Sequence, residues 1–184
     1  MGKKTYIVVG IVIVAGAGFY FFKSPDFDIS DIRSFVDPKE SAEKTLNDVT
    51  ALRGSVFTSS DERFFFGLSE GMTVSEVPDP GGLLVVVQDG NNEGVQIFST
   101  SFDEPESVFT EERVRRDIPD LKMDSLRKVD VDGISALAFY SDNPAFNNDS
   151  YEVWFVKGGD LYQVSSARVQ KEMVDTLISS WKFK

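Results

Sequence analysis

Hydrophobic residues follow two different patterns along this chain, and the change comes at Lys23. Residues 5–22 read TYIVVGIVIVAGAGFYFF and contain no charged side chain. After Lys23, hydrophobic and polar residues alternate over short stretches separated by turn residues, as in a folded domain. The pattern therefore predicts one apolar segment joined to one water-exposed domain of ordinary size.

The apolar segment has the length of a membrane span. As a helix, 18 residues cover about 27 Å, which is close to the hydrocarbon thickness of a bilayer. Aromatic side chains lie near both of its ends, where they favour the membrane interface. We therefore predict a single transmembrane helix over residues 5–23, with the lipid bilayer contacted through residues 5–22.

The flanking charges predict the orientation of this span. Lys3 and Lys4 precede it, whereas acidic residues follow it from Asp26 onward. The positive-inside rule places residues 1–4 in the cytoplasm and the remaining chain outside, at a prokaryotic inner membrane. Cleavage near Ala17 as a signal peptide is the alternative, and it would release the domain as a secreted protein. In both cases the domain crosses the membrane.

Residues 24–56 read as a juxtamembrane linker that contains one helix, over residues 38–53. Asp37 is its predicted cap, and Pro38 suits the first helical position. Four apolar residues then fall on one helical face: Ala42, Leu46, Val49 and Leu52. Two interpretations stay open, a helix that packs on the domain's own sheet and a stalk or partner-binding helix.

Residues 57–184 carry the pattern of strands joined by short turns. The stretch from Leu83 to Val87 is continuously apolar, which predicts a central strand buried on both faces. The short links exclude parallel crossovers. The predicted strands are Arg63–Phe66, Met72–Val77, Leu83–Val87, Val95–Phe102, Met123–Val131, Ile134–Ser141, Tyr151–Val156 and Leu161–Ser165.

Two helices accompany these strands. Thr110 is a predicted cap for a short helix over Glu111–Ile118. A final helix begins near Arg168, with an apolar stripe of Val169, Met173, Leu177 and Trp181. A terminal strand over Trp181–Lys184 is an open alternative for the last residues. The predicted fold class is α+β, an antiparallel β-sheet packed by helices and preceded by the transmembrane segment.

The order of these elements resembles the PsbP/Mog1-type domain over residues 57–183. The residues that carry the resemblance are FFFG at 64–67, MTVSEV at 72–77, TEERVRRDIPD at 110–120, VDGISALAFYS at 131–141, YEVWFVKGGDLYQVSS at 151–166 and LISSWKF at 177–183. Members of that family serve as binding or accessory domains on other machinery and share no catalytic site. The resemblance therefore implies a non-enzymatic module.

Composition narrows the possible functions. The chain has 19 basic and 30 acidic residues. Without Lys3, Lys4 and Lys23, the part beyond the anchor holds 16 basic residues against all 30 acidic ones, a net charge of −14. Such a domain repels nucleic acid and anionic lipid. The chain contains neither His nor Cys, which removes the triad base, thiolate chemistry and the common transition-metal ligands. We expect no catalytic residue, cofactor or metal.

Two acidic motifs have the appearance of cation sites. Asp89-Gly90-Asn91-Asn92-Glu93-Gly94 is similar to a calcium loop, but Thr100 stands where an EF-hand needs a bidentate glutamate. Asp130 and Asp132 form a D-x-D pair directly before Gly133. Both motifs are predicted to be hairpin turns.

Other residues are candidates for binding. Arg113, Arg115 and Arg116 form a basic cluster that would hold an anion or simply pair with neighbouring acids. Three aromatic residues lie on one strand with alternating faces, Tyr151, Trp154 and Phe155, so at least one is expected in the core. Asn148-Asp149-Ser150 is a glycosylation sequon only in a eukaryotic secretory host.

The resulting hypothesis is a single-pass membrane protein whose acidic extracytoplasmic domain is a non-catalytic binding or accessory module of a cell-envelope complex, with protein partners. Two alternatives stay open. One is a carboxylate-based hydrolase of envelope polymers, which needs two acids in one groove. The other is a subunit of an envelope assembly. The sequence assigns no ligand-binding or partner-binding residue.

Overall fold

A computed structural model of the chain describes residues 50–51, 56–79, 81–91, 93–104 and 108–184. They form an eight-stranded sheet and a three-stranded sheet, with antiparallel pairing throughout. The elements are β1 (Thr50–Ala51), β2 (Val56–Thr58), β3 (Phe64–Gly67), β4 (Thr73–Asp79), β5 (Gly82–Gln88), β6 (Gly94–Ser101), α1 (Glu111–Asp117), β7 (Met123–Val131), β8 (Ile134–Ser141), β9 (Ser150–Lys157), β10 (Asp160–Ala167), α2 (Lys171–Ser180) and β11 (Lys182–Phe183).

The large sheet has the strand order β1-β4-β5-β6-β10-β9-β8-β7, and the small sheet has the order β11-β3-β2. The antiparallel α+β class is therefore confirmed, as are the eight predicted strands. Asp132 and Gly133 join β7 to β8 with φ values of 52° and 81°, as the Asp-Gly dipeptide predicts. Gly158 and Gly159, with φ values of 65° and 87°, join β9 to β10.

One face of the large sheet, here called the α2 face, carries the main core. Alternate side chains of β9 point to it, with Tyr151, Val153 and Phe155 each about 1% exposed or less. Helix α2 packs on this face against β10, β3 and β6, and its Val174 and Leu177 side chains belong to the same hydrophobic cluster. The small sheet completes this layer with the Phe64 and Phe66 side chains of β3 and with Trp181, which follows α2.

The opposite face, here called the α1 face, has two apolar regions. Helix α1 contributes Val114 to a cluster with Phe109 and Trp154 over strands β8 to β10. A separate cluster of three residues lies on β5 and β6: Leu84, Val86 and Phe98. The Leu83–Val87 prediction is confirmed, because these five residues are buried and alternate between the two faces.

Several predicted boundaries are wrong. The predicted helix 38–53 is too long, because Thr50–Ala51 is strand β1, paired with β4; residues 38–49 lie outside the described residues. Val169 does not belong to the core stripe of the last helix: it lies in the 3-10 turn Arg168–Gln170 and is 83% exposed. Trp181 is buried but lies in extended backbone after the helix, and the alternative of a terminal strand over Trp181–Lys184 is confirmed by β11.

The predicted anchor, residues 5–23, lies outside the described residues. Among the residues that are described, no helix has the length and apolar character that a bilayer crossing requires.

Candidate functional site

The three arginines of the predicted basic cluster on α1 all form ion pairs within the domain. Arg113 is 3% exposed, and its guanidinium pairs with Asp117, with Asp103 at 2.8 Å and with Glu104 at 3.2 Å. It also lies 4.5 Å from the centre of the Phe102 ring. Burial opposes the charge, but the hydrogen bonds to Asp117 and Asp103 outweigh burial and raise the pKa of Arg113. This arginine holds the segment before α1 against the helix.

The other two arginines of that cluster are exposed and also paired. Arg115 lies 2.7 Å from Glu111 one helical turn earlier, and Arg116 pairs with Glu104. Thr110 caps the helix as predicted, since its hydroxyl accepts the Arg113 N–H at 3.3 Å. The interpretation of these arginines as partners of neighbouring acids is confirmed.

The calcium-like loop folds as a hairpin turn. The Asp89 carboxylate accepts the backbone N–H groups of Asn91 at 2.8 Å and Glu93 at 3.0 Å, so one oxygen is used within the turn. Among the described residues there is no cluster of three or more acidic side chains arranged to hold a metal ion. The turn interpretation is confirmed for this loop.

The two aspartates of the D-x-D pair have different partners. Asp130 accepts the N–H of Gly133 at 3.0 Å within the turn. Asp132 reaches the last strand: it accepts the Lys182 ammonium at 2.7 Å and the N–H of Phe183 at 3.0 Å. These hydrogen bonds lower the pKa of Asp132, and the one from Lys182 has the largest effect. Asp132 therefore ties the β7–β8 turn to the carboxyl-terminal strand.

We expect Asp132→Asn to destabilise the domain at neutral pH and to matter less in acid. Asparagine tolerates the positive φ of this position, so the variant removes mainly the charge. A carboxyl with a lowered folded-state pKa adds stability above its unfolded pKa of about 4, and this stability is lost as the pH falls through the folded value. The gap between the urea midpoints of the two proteins should therefore be smaller at pH 3 than at pH 7. A constant gap would contradict the charge-based explanation.

The three aromatic residues of β9 are all buried. Tyr151 and Phe155 lie on the α2 face, and Trp154 lies on the α1 face under Phe109. Their predicted alternation is confirmed, but none of them forms an open aromatic surface. Asn148 of the sequon is exposed in a turn with a φ of 61°.

A buried carboxylate on the α1 face was not predicted. Glu152 is fully buried between β8 and β10. One of its oxygens accepts from Asn143 Nδ2 at 3.0 Å and from Ser141 Oγ at 3.4 Å; the other accepts from Trp154 Nε1 at 3.1 Å and from Ser165 Oγ. The donors are all uncharged, so the carboxylate is held by neutral hydrogen bonds alone. Because Glu152 lies in the strand between Tyr151 and Val153, only its break in the apolar pattern marks it in the sequence.

A row of register partners crosses the α1 face beside this glutamate. From β4 inward it runs through Val77, Leu84, Phe98, Gln163 and Trp154. Helix α1 covers the Trp154 end. Gln163 is 4% exposed, and its Nε2 has no hydrogen-bond partner among the residues described. Helix α1 therefore covers one half of this row, and the other half, near β4, is apolar. The unpaired amide of Gln163 lies between the two halves.

A group of tyrosines and cations lies where β7, β8 and β9 meet the start of α2, and we call it the Tyr–cation cluster. Its members are Arg127, Tyr140, Tyr151, Arg168 and Lys171. The Arg168 guanidinium lies 4.0 Å from the centre of the Tyr140 ring, and Arg127 lies 5.3 Å from that of Tyr151. Arg127 and Arg168 are exposed, so the cluster reaches the surface.

Hydrogen bonds order this cluster. Arg127 Nη2 donates to the Tyr151 hydroxyl at 2.6 Å, and that hydroxyl donates to Asp175 at 3.0 Å. Burial raises the pKa of the Tyr151 hydroxyl, the Asp175 charge adds to this effect, and Arg127 opposes it. Arg168 pairs with Asp149 at 2.6 Å and Lys171 pairs with Asp175, whereas Arg127 has no carboxylate partner within the described part of the chain.

A β-bulge places Arg127 in this cluster. The register of β7 against β8 shifts between Asp124 and Arg127, and Ser125 adopts a φ of 54°. The bulge turns Arg127 toward Tyr151 on the α2 face, next to Ala138. No glycine or proline marks this position, which is why the sequence did not predict it.

The carboxylate-pair hypothesis needs an acid with a raised pKa, and two of the described carboxyl groups have the opposite shift. They are Asp132 and Asp61. Burial alone would raise the pKa of Asp61, but hydrogen bonds from Arg63 and Ser59 outweigh it and lower the pKa. Both acids serve the fold through cationic partners, so neither is poised as a proton donor near neutral pH.

Comparison with known proteins gives similarities of fold. No protein-family model matches the chain. No curated protein matches it. The solved structures include a similar one, cyanobacterial PsbP (CyanoP) from Synechocystis sp. PCC 6803, with 14% identity and a TM-score of 0.46 over 71% of this chain and 92% of that one. A protein from Bacteroides thetaiotaomicron VPI-5482 shows 13% identity and a TM-score of 0.45 over 72% of this chain and 49% of its own length.

The fold class itself rests on the sheet topology described above.

Proposed function

We propose that this chain is a non-catalytic binding module of a cell-envelope complex, held at the outer surface of the inner membrane by residues 5–22. The uncharged segment and its flanking lysines support the anchor and its direction. The net charge beyond the anchor favours protein over nucleic acid as a partner. The chain contains no His or Cys, and its predicted ionic motifs are bonded within the fold.

The Tyr–cation cluster is the observation that carries this proposal. Tyrosine and arginine are the residue types that dominate binding energy at protein interfaces, because they offer large contact areas with polar tips. Here Tyr140 and Arg168 stack at the surface, and Arg127 keeps a guanidinium without a carboxylate partner among the described residues. A carboxylate of a protein partner would complete the pairing of Arg127 in bidentate fashion.

Photo-crosslinking in intact cells tests this assignment. A photoreactive phenylalanine analogue at position 140 is expected to give a discrete crosslinked product on the full-length, membrane-bound chain. Arg127→Ala in the same chain should weaken that product at least tenfold, because the partner carboxylate loses a bidentate hydrogen bond worth about 1.5–3 kcal/mol.

Position 115 provides the matched control. Arg115 is exposed, is paired only with Glu111 in its described ion pair, and lies on α1 away from the cluster. The analogue at position 115 should give no product, and Arg115→Ala should leave the product at position 140 unchanged. Equal products at both positions, or none at position 140, would overturn the assignment. A carboxyl-terminal reporter in the same cells should respond on the outer side of the membrane; a cytosolic response would overturn the proposed orientation.

A further inference from the structure

We propose that Tyr151 and Asp175 are positioning residues, which orient the Arg127 guanidinium for a carboxylate of the protein partner without neutralising its charge. The inference rests on the proposed function and deepens it, because it assigns the residues that prepare this one arginine for the partner. Tyr151 is 1% exposed, so it acts through Arg127 and not by touching the partner.

Two other arginines of the domain are held by carboxylates. Arg113 pairs with three acidic side chains, and Arg63 lies 2.6 Å from both Asp61 and Asp160. Ion pairs of this kind fix the side chain and balance its charge at the same time. Such arginines connect parts of the fold and offer little attraction to an anion from outside.

Arg127 is held by an uncharged oxygen instead. Its Nη2 donates to the Tyr151 hydroxyl at 2.6 Å, and its guanidinium lies 5.3 Å from the centre of the same ring. Burial, first of all, and the nearby Asp175 charge raise the pKa of this hydroxyl, so it stays protonated and neutral near pH 7. The Arg127 side chain is thus oriented while its positive charge stays unbalanced.

Asp175 fixes the direction of the Tyr151 hydroxyl. The hydroxyl donates its proton to Asp175 at 3.0 Å, which leaves a lone pair of the oxygen for Arg127. Lys171, one turn earlier on α2, pairs with the same carboxylate, and its ammonium lies 5.2 Å from the centre of the Tyr151 ring. The contacts therefore run from helix α2 through the tyrosine to Arg127.

The remaining acids of this region are paired with Arg168. Asp149 lies 2.6 Å and Asp124 lies 3.6 Å from the guanidinium of that arginine. Within the described part of the chain, Arg127 is thus a cation of the cluster whose charge no carboxylate balances. Because its side chain is exposed, a carboxylate of a partner can reach it.

Orienting Arg127 in advance favours binding. A flexible arginine loses rotamer freedom when a partner immobilises it, and this loss weakens the complex. The bulge in β7 and the Tyr151 hydroxyl already restrict Arg127 in the free protein. Removing the hydroxyl should therefore weaken partner binding by roughly two- to tenfold, although the guanidinium itself is still present.

Side-chain NMR measures this orientation without any partner. The full-length chain with isotope-labelled arginine is studied in detergent micelles, and Arg127→Lys identifies the Arg127 Nε–H signal by its loss. We expect this signal to show the heteronuclear NOE of an ordered group. Tyr151→Phe and Asp175→Ala should each lower it to the value of a flexible side chain. Two controls should leave it unchanged: Tyr162→Phe, at another buried tyrosine, and Glu172→Ala, at another acid of α2.

Two NMR outcomes would overturn the proposal. One is an Arg127 Nε–H group that is flexible in the wild-type chain, and the other is a group that stays equally ordered in Tyr151→Phe. Fluorescence of the buried Trp154 and Trp181 verifies that each variant is folded. If Tyr151→Phe does not fold, Asp175→Ala and its control provide the same test.

Photo-crosslinking shows whether the orientation serves the partner. With the analogue at position 140, Tyr151→Phe should reduce the crosslinked product by roughly two- to tenfold. In an Arg127→Ala chain it should cause no further loss, because both substitutions then affect one interaction. A merely structural role of Tyr151 would reduce the product in both chains and would overturn the proposal.

The crosslinking outcomes also separate this proposal from the proposed function. A product that is equally strong with and without the Tyr151 hydroxyl would overturn the positioning role alone. The absence of any product at position 140 in the wild-type chain would overturn the proposed function, and with it the purpose assigned to the orientation of Arg127.

Discussion

Replacing Trp181 with alanine is expected to lower the free energy of unfolding by about 3–5 kcal/mol, the usual cost of removing a large buried aromatic side chain. Trp181 is 1% exposed and joins three parts of the fold. Its ring stacks on Phe64 of β3 at 4.5 Å and meets Phe155 of β9 edge-on at 5.4 Å. Alanine would leave a cavity between the small sheet, the large sheet and the end of α2. Urea unfolding followed by far-ultraviolet circular dichroism measures the loss.

Val169→Ala is the matched control. The helical period places Val169 on the same stripe as Trp181, but this valine is 83% exposed in the 3-10 turn before α2. Its removal should change the free energy of unfolding by less than about 0.5 kcal/mol, as at other surface positions. Comparable losses in the two variants would mean that the stripe is packed as the sequence pattern predicts and not as the structure shows.

Glu152→Gln is expected to lower the free energy of unfolding by about 2–4 kcal/mol, although the side chain keeps its shape. The four groups around the carboxylate all donate. In one orientation the new NH₂ group meets the indole N–H of Trp154, which only donates. In the other it meets Asn143 Nδ2, and that amide cannot flip without breaking its 3.0 Å bond from the Ala145 N–H. Either way a buried donor faces a donor.

Glu62→Gln makes the same chemical change at an exposed glutamate, whose described partner is Lys184. This variant should unfold close to wild type, and urea titrations of the three proteins at pH 7 provide the comparison. If Glu152→Gln were as stable as Glu62→Gln, the neutral hydrogen bonds around Glu152 would not stabilise a buried charge.

The strands were predictable because the turn residues at their ends and the apolar pattern within them indicate the same bounds. Turn dipeptides such as Asp132-Gly133 end the strands, and the continuous apolar run Leu83–Val87 marks the strand buried on both faces. The short helix α1 was predictable because Thr110 caps it and acids occupy its first turn. Each of these signals depends only on residues that are close together along the chain, and such signals can be read from a single sequence.

The candidate site was less predictable, because it depends on register across strands. Arg127 joins Tyr151 only because of the bulge at Ser125, and Glu152 is satisfied by residues on β8 and β10 and by the loop between β8 and β9. The packing of Trp181 was less predictable for a related reason. Trp181 continues the helical period, yet its stacking with Phe64 and Phe66 is made from extended backbone.

The bulge in β7 also affects whether two copies of the domain can pair edge to edge. Strand β7 is nine residues long and lies at one margin of the large sheet, so its outer backbone groups offer a template for another strand. The irregularity at Ser125 interrupts that template, and the exposed charges of Arg127, Lys128 and Asp130 oppose edge-to-edge stacking. A margin that pairs poorly with other strands therefore makes the domain less prone to aggregate through this edge.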